Sequence, residues 1–76
     1  LMVVITHQRD KCIGCNYCFE EAPYRWRMSV KDGKSTLLGS KEKRGFHTVR
    51  VHDEELEDNL RAAKYCPVNI IHVKQV

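Results

Sequence analysis

The stretch Cys12-Ile13-Gly14-Cys15-Asn16-Tyr17-Cys18 decides how this chain is read. It sets three thiols at two-residue intervals. The remaining cysteine, Cys66, lies far down the chain and is followed at once by Pro67. Three side chains so spaced do not all point into the core from one helix or strand. They are placed to wrap around something compact, and Cys66 closes the shell from the far end.

Four thiolates in this local spacing point to an iron–sulfur cubane, [4Fe–4S], held by Cys12, Cys15, Cys18 and Cys66. The competing readings are a zinc site and two disulfides. Zinc sites favour two separated pairs, whereas here a triplet faces a single residue. A Rieske centre needs paired Cys and His ligands, and none of His7, His47, His52 or His72 stands beside a cysteine in that pattern. Radical-generating S-adenosylmethionine enzymes use another triplet spacing and a far larger barrel.

Seventy-six residues make one domain, 1–76. So short a chain buries little apolar surface, so a staple is expected: a disulfide, a metal or a second copy. The apolar start Leu1–Ile5 runs straight into His7, Arg9, Asp10 and Lys11. That is too short for a signal sequence or a membrane span. The expected setting is cytoplasmic and reducing, where clustered cysteines bind metal. The formal net charge is +3. Four thiolates contribute about −4 and an oxidised cubane core about +2, so the holoprotein falls to about +1. That is not a nucleic-acid-binding charge.

Leu1–Ile5 reads as a strand. Gly14 supplies a backbone conformation or a close approach that other residues resist. Cys18–Glu21 forms a helical turn stopped by Pro23. Trp26–Val30 and Ser35–Leu38 read as a hairpin around Asp32-Gly33, with Tyr24, Trp26 and Phe46 as its core. Gly39–Gly45 reads as a charged loop and Phe46–Val51 as a short strand. Asp53 is the expected N-cap of a helix running to about Tyr65, with Glu54, Glu55 and Glu57 at its positive end. Leu56, Leu60 and Ala63, joined by Ala62, form its expected inner stripe. Val68–Val76 is a final strand, expected to pair with the first. The four histidines are expected at the surface or on strands.

A decayed repeat organises these pieces. Two-cluster iron–sulfur proteins carry C-x2-C-x2-C-x3-C-P twice, and each fourth cysteine serves the other cluster. After Cys18 the fourth position is Ala22, followed by Pro23. Counting back from Cys66, the matching positions are Leu56, Asn59 and Ala62. These four replaced positions are the complete ligand set of one cluster. The four cysteines are the complete set of the other.

The chain thus resembles a single-cluster [4Fe–4S] bacterial-type ferredoxin. The resemblance implies an α+β, ferredoxin-like fold: a terminal two-stranded antiparallel sheet, a short hairpin and two helices. The helix over 53–65 would stand where a second cluster sits in two-cluster relatives. A cysteine at Cys15, a position sometimes taken by other residues in this family, implies a stable four-iron cluster. Ile13, Gly14, Asn16 and Tyr17 would surround it, and Ile13, Val68 and Ile70 would shield it.

The function so implied is one-electron transfer by a soluble monomer, not an enzyme. The cluster would shuttle between 2+ and 1+, and Lys11–Cys18 would be the electron's exit. Its partners would be redox proteins, a reductase donor and an oxidoreductase acceptor, with neither nucleic acid nor membrane. The acidic faces Glu54, Glu55, Glu57, Asp58 and Glu20–Glu21 would steer a basic partner. The alternatives are an electron-relay subunit of a larger oxidoreductase and a structural zinc module.

Overall fold

The computed structural model describes residues 2–76. β1 (Met2–Gln8) alternates strictly: Val3, Ile5 and His7 point inward and are fully buried. Branched side chains on a pleated strand favour that arrangement, because one face can be packed while the other stays wet. β1 is central. It pairs antiparallel with β5 (Phe46–His52), from Met2↔His52 to Gln8↔Phe46. On its other side lies β6 (Ile71–Gln75), from Val3↔Gln75 to His7↔Ile71.

The terminal strands therefore pair as expected, but the sheet is wider than two strands. Its order is β4-β5-β1-β6, where β4 is Lys41–Lys43. The segment read as a charged loop holds this extra strand. Lys43 faces Phe46, so only Arg44 and Gly45 close the hairpin. Both have left-handed backbones, with φ of 55° and 86°, as the tightest two-residue hairpin turns require. All three β4 side chains are exposed. A short, fully charged strand at a sheet edge resists pairing with other chains.

β2 (Trp26–Met28) and β3 (Ser35–Leu37) make the second hairpin, from Trp26↔Leu37 to Met28↔Ser35. It is shorter than the expected Trp26–Val30 and Ser35–Leu38 strands, and Asp32-Gly33 does not close it directly. Val30 is fully exposed, so no packing holds it in a strand. The loop closes through backbone bonds from Ser29 N–H to Lys34 O (2.8 Å) and Gly33 N–H to Ser29 O (2.9 Å). Asp32 is gripped by Arg9 at 2.9 and 3.1 Å.

Two helices, α1 (Tyr17–Glu21) and α2 (Leu56–Tyr65), pack against one another and complete the α+β fold. Asp53 does not cap α2. It opens a 3-10 turn, Asp53–Glu55, that leads into the helix, and neither start carries a side-chain cap bond. Glu55 is instead held by Arg25 through two bonds of 2.9 and 3.0 Å. The buried stripe of α2 is also rotated from the expected one. Asn59 and Ala62 are fully buried, whereas Leu60 is 45% exposed. The side chain of Asn59 turns inward because it has work there: its Oδ1 accepts the Trp26 indole N–H at 2.8 Å, and its Nδ2 donates to Glu55 O at 2.8 Å. A buried indole needs such an acceptor. Of the three expected hairpin aromatics only Trp26 is core; Tyr24 and Phe46 are exposed.

Candidate metal centre

The cysteine loop leaves β1 through a 3-10 turn at Arg9–Lys11, and the Cys12 N–H closes it onto Arg9 O at 3.0 Å. Gly14 follows with φ 75°. A side chain there is barred twice over, since a Cβ would stand 2.6 Å from Gly33 O. The cysteine loop thus lies directly against the β2–β3 loop. Asn16, with φ 72°, makes a second left-handed step and heads α1; Asn accepts that conformation more readily than most residues.

Cys18 is buried in α1, and Cys66 is buried just past the end of α2; both belong to one apolar core with Ala22, Trp26 and Ala62, and Cys12 packs against it. Cys12 and Cys15 are half-buried. Burial pushes the Cys18 thiol up, and the charges of Cys12 and Cys15 push it further. Among the described residues no three His, Cys, Asp or Glu groups converge on a single-ion position. A cubane bonds its four thiolates at separate corners, so its ligands need not converge on one point.

Cys12 is the most heavily solvated by protein donors. Its Sγ receives the N–H of Ser35 at 3.4 Å and of Gly14 at 3.5 Å, and lies 3.5 Å from the Ser35 hydroxyl. Burial alone would raise the Cys12 thiol. Those three donors and the Lys34 ammonium outweigh it, leaving the thiol below its ordinary value and favouring thiolate. Lys34 is anchored by donating to Asp10 O at 2.8 Å. The donor set fits a bound anionic sulfur cluster: a Cys12 thiol biased to thiolate, N–H groups aimed at its sulfur and a nearby cation.

The residues expected around the triplet divide. Ile70 is buried, whereas Ile13 is 63% exposed and Val68 lies at the surface. Tyr17 and Tyr65 are exposed neighbours, with ring centres 6.4 Å apart. His52 and His72 are exposed as expected, and His47 is half-buried. His7 is not at the surface: it is fully buried, because β1 is the central strand and its 3-5-7 face looks inward. That alternation, Val3-Ile5-His7, was the signal available in sequence. Ser35 carried none, since its role depends on the start of β3 being set beside Cys12 and His7.

The match to a family model covers residues 5–73 and describes a 4Fe-4S single cluster domain. The chain belongs to that family. It is a family of iron–sulfur electron carriers, and the fold agrees. Wild-type Hydrogenobacter thermophilus ferredoxin 1 aligns with a TM-score of 0.75 at 20% identity, over 97% of this chain and 99% of that one. Desulfovibrio africanus ferredoxin I aligns with a TM-score of 0.58 at 29% identity, over 95% of each chain. A [3Fe-4S] ferredoxin associated with CYP194A4 from R. palustris HaA2 aligns with a TM-score of 0.69 at 23% identity, over 96% and 98%. No curated protein matches the sequence. Among the described residues no helix is long and apolar enough to cross a membrane.

Proposed function

We propose that this ferredoxin-family chain is a soluble, cytoplasmic one-electron carrier with a single [4Fe–4S] cluster held by Cys12, Cys15, Cys18 and Cys66. The observation that carries this reading is the donor set on Cys12 Sγ: two backbone N–H groups and a hydroxyl converge on one sulfur. Protein donors at a ligand sulfur offset the negative charge gathered there. When bound, the cluster would supply a couple between 2+ and 1+ states.

The chain's own residues account for the rest. Gly14 and Asn16 give the loop its two left-handed steps, and the Gly14 N–H is directed at Cys12 Sγ. Cys18 and Cys66, both buried, exclude water on the core side. Cys15, as the fourth thiol, favours four irons over three. A second cluster has no ligands left: Ala22, Asn59 and Ala62 are buried side chains of the core, and Leu56 packs against it. Trp26 and Asn59 lock that filled region with their mutual hydrogen bond.

For partners, the reading is a reductase that donates and an oxidoreductase that accepts, meeting the chain at the Lys11–Cys18 loop through a small, quickly exchanging interface. Three of the acidic side chains expected to steer a basic partner have structural duties. Glu55 binds Arg25, and Glu21 binds Arg61 at 2.9 Å; Asp58 is shared by Arg61 and the Tyr24 hydroxyl. The exposed carboxylates of Glu54, Glu57 and Glu20 are the better candidates for steering. Iron and sulfide analysis with redox-monitored EPR tests the cluster assignment. Colourless protein holding one zinc overturns it.

A further inference from the structure

Ser35 is a buried polar residue 23 positions from Cys12, and it contacts two groups at once. Its hydroxyl lies 3.5 Å from Cys12 Sγ and 3.1 Å from His7 Nε2. The same Nε2 lies 3.2 Å from the Ser35 carbonyl oxygen. A carbonyl oxygen only accepts, so this approach calls for the proton on Nε2. The alternative tautomer would set two lone pairs against each other and bury an unpaired Nδ1–H as well. Nδ1 is, among the described residues, the buried side-chain atom with no partner. Leaving a bare lone pair there is the smaller of the two penalties.

The ring is also held in place. His7 meets the Trp26 ring edge-on, with centres 4.9 Å apart, and Trp26 is itself fixed by Asn59. Burial, the dominant influence, pushes the His7 pKa down to about 4, so the ring is neutral at neutral pH and keeps a single N–H. That N–H is directed at Ser35. Facing a donor on the imidazole side, the Ser35 oxygen accepts there and turns its own proton toward sulfur.

We propose that His7 and Ser35 form a donor relay ending on Cys12 Sγ, in which the buried imidazole fixes the Ser35 hydroxyl onto a ligand sulfur and makes the cluster easier to reduce. The proposal rests on the cluster reading above. Hydrogen bonds to cluster sulfurs raise the potential because they count for more in the more negative, reduced state. Coupled hydrogen bonds polarise one another, so the imidazole strengthens the hydroxyl as a donor. Ser35 and His7 are positioning residues; neither would touch the iron.

The test is an anaerobic redox titration at neutral pH of the reconstituted holoprotein, with Ser35→Ala, Ser35→Thr, His7→Phe and the double variant His7→Phe/Ser35→Ala. At a fixed ambient potential Ser35→Ala lowers the reduced-to-oxidised ratio about threefold, a shift of ~30 mV for a one-electron couple. Ser35→Thr keeps the hydroxyl and restores the wild-type ratio. His7→Phe lowers the ratio by less, and has no further effect once Ser35 is alanine. An unchanged potential in Ser35→Ala overturns the relay, as does a threonine variant that behaves like alanine. So does a His7→Phe shift that persists in full without the hydroxyl. Should Ser35→Ala fail to hold a cluster, His7→Phe decides alone: a lowered ratio supports the relay and an unchanged one refutes it. Wild-type protein that takes up no iron–sulfur cluster overturns the cluster reading itself, and the relay with it.

Discussion

Asn59→Ala isolates the contact that fills the place of the lost ligand set. In the native chain Asn59 and Trp26 are both fully buried, and the indole N–H reaches Asn59 Oδ1 at 2.8 Å. Alanine leaves that N–H with no acceptor and no water. An orphaned buried donor costs about 1–3 kcal/mol. The bond from Asn59 Nδ2 to Glu55 O is lost as well, about 1 kcal/mol for a neutral pair. Alanine's better helix propensity returns about 0.5 kcal/mol. The net expectation is a loss of about 1.5–3.5 kcal/mol, or roughly 6–28 °C in unfolding temperature for a chain of this size. Thermal scans followed by far-UV circular dichroism, run anaerobically and at one scan rate, measure it; a fixed rate is needed because loss of a cluster makes unfolding irreversible. A double-mutant cycle with Trp26→Phe separates the hydrogen bond from packing, and a coupling of about 1–3 kcal/mol is expected for partners in direct contact. An Asn59→Ala loss under about 0.5 kcal/mol, or a strictly additive double variant, would refute the reasoning.

Three further outcomes follow from the same geometry. Gly14→Ala forces a Cβ to within 2.6 Å of Gly33 O at φ 75°, adding about 1–2 kcal/mol of left-handed strain to a backbone clash; cluster incorporation should fall sharply, and wild-type iron content in this variant would contradict the loop packing. His7 has a folded pKa near 4 and an unfolded value near 6.5, so the unfolded chain binds more protons between those limits. Stability should fall by up to about 3 kcal/mol as the pH drops through that window, and His7→Phe should flatten the decline; parallel curves for the two proteins would count against it. Charge reversal at Glu54 and Glu57 should slow electron exchange with a basic partner several-fold at low salt and little at high salt, whereas a rate equally reduced at both would show that these carboxylates do not steer.

The parts of the molecule that were legible in sequence are those with strong local chemistry. The Cys12–Cys18 spacing, the Ala22-Pro23 remnant and the β-branched termini each carried their meaning within a few residues. The widened sheet did not. Lys41–Lys43 has no apolar alternation, and its strand exists because Arg44-Gly45 makes a tight turn and β5 offers a free edge. The phase of α2 was misleading for a different reason. Leu60 looks like core and Asn59 like surface, but the inner face is set by the Trp26 indole needing an acceptor. His7 and Ser35 were illegible as a pair, since 28 residues separate them and only the folded chain sets Ser35, the first residue of β3, against β1. The repeat, by contrast, told more than its cysteines did. Ala22, Asn59 and Ala62 are all fully buried, so the positions that would hold a second cluster still face the interior.

The central claim, one four-iron cluster on Cys12, Cys15, Cys18 and Cys66, is met most directly by anaerobic redox titration of the purified protein with EPR detection and parallel iron and sulfide analysis. About four irons and four sulfides per chain are expected, with an oxidised state that is EPR-silent and a paramagnetic signal that grows in a single one-electron step on reduction. A signal already present in the oxidised protein and lost on reduction, with about three irons per chain, would contradict it.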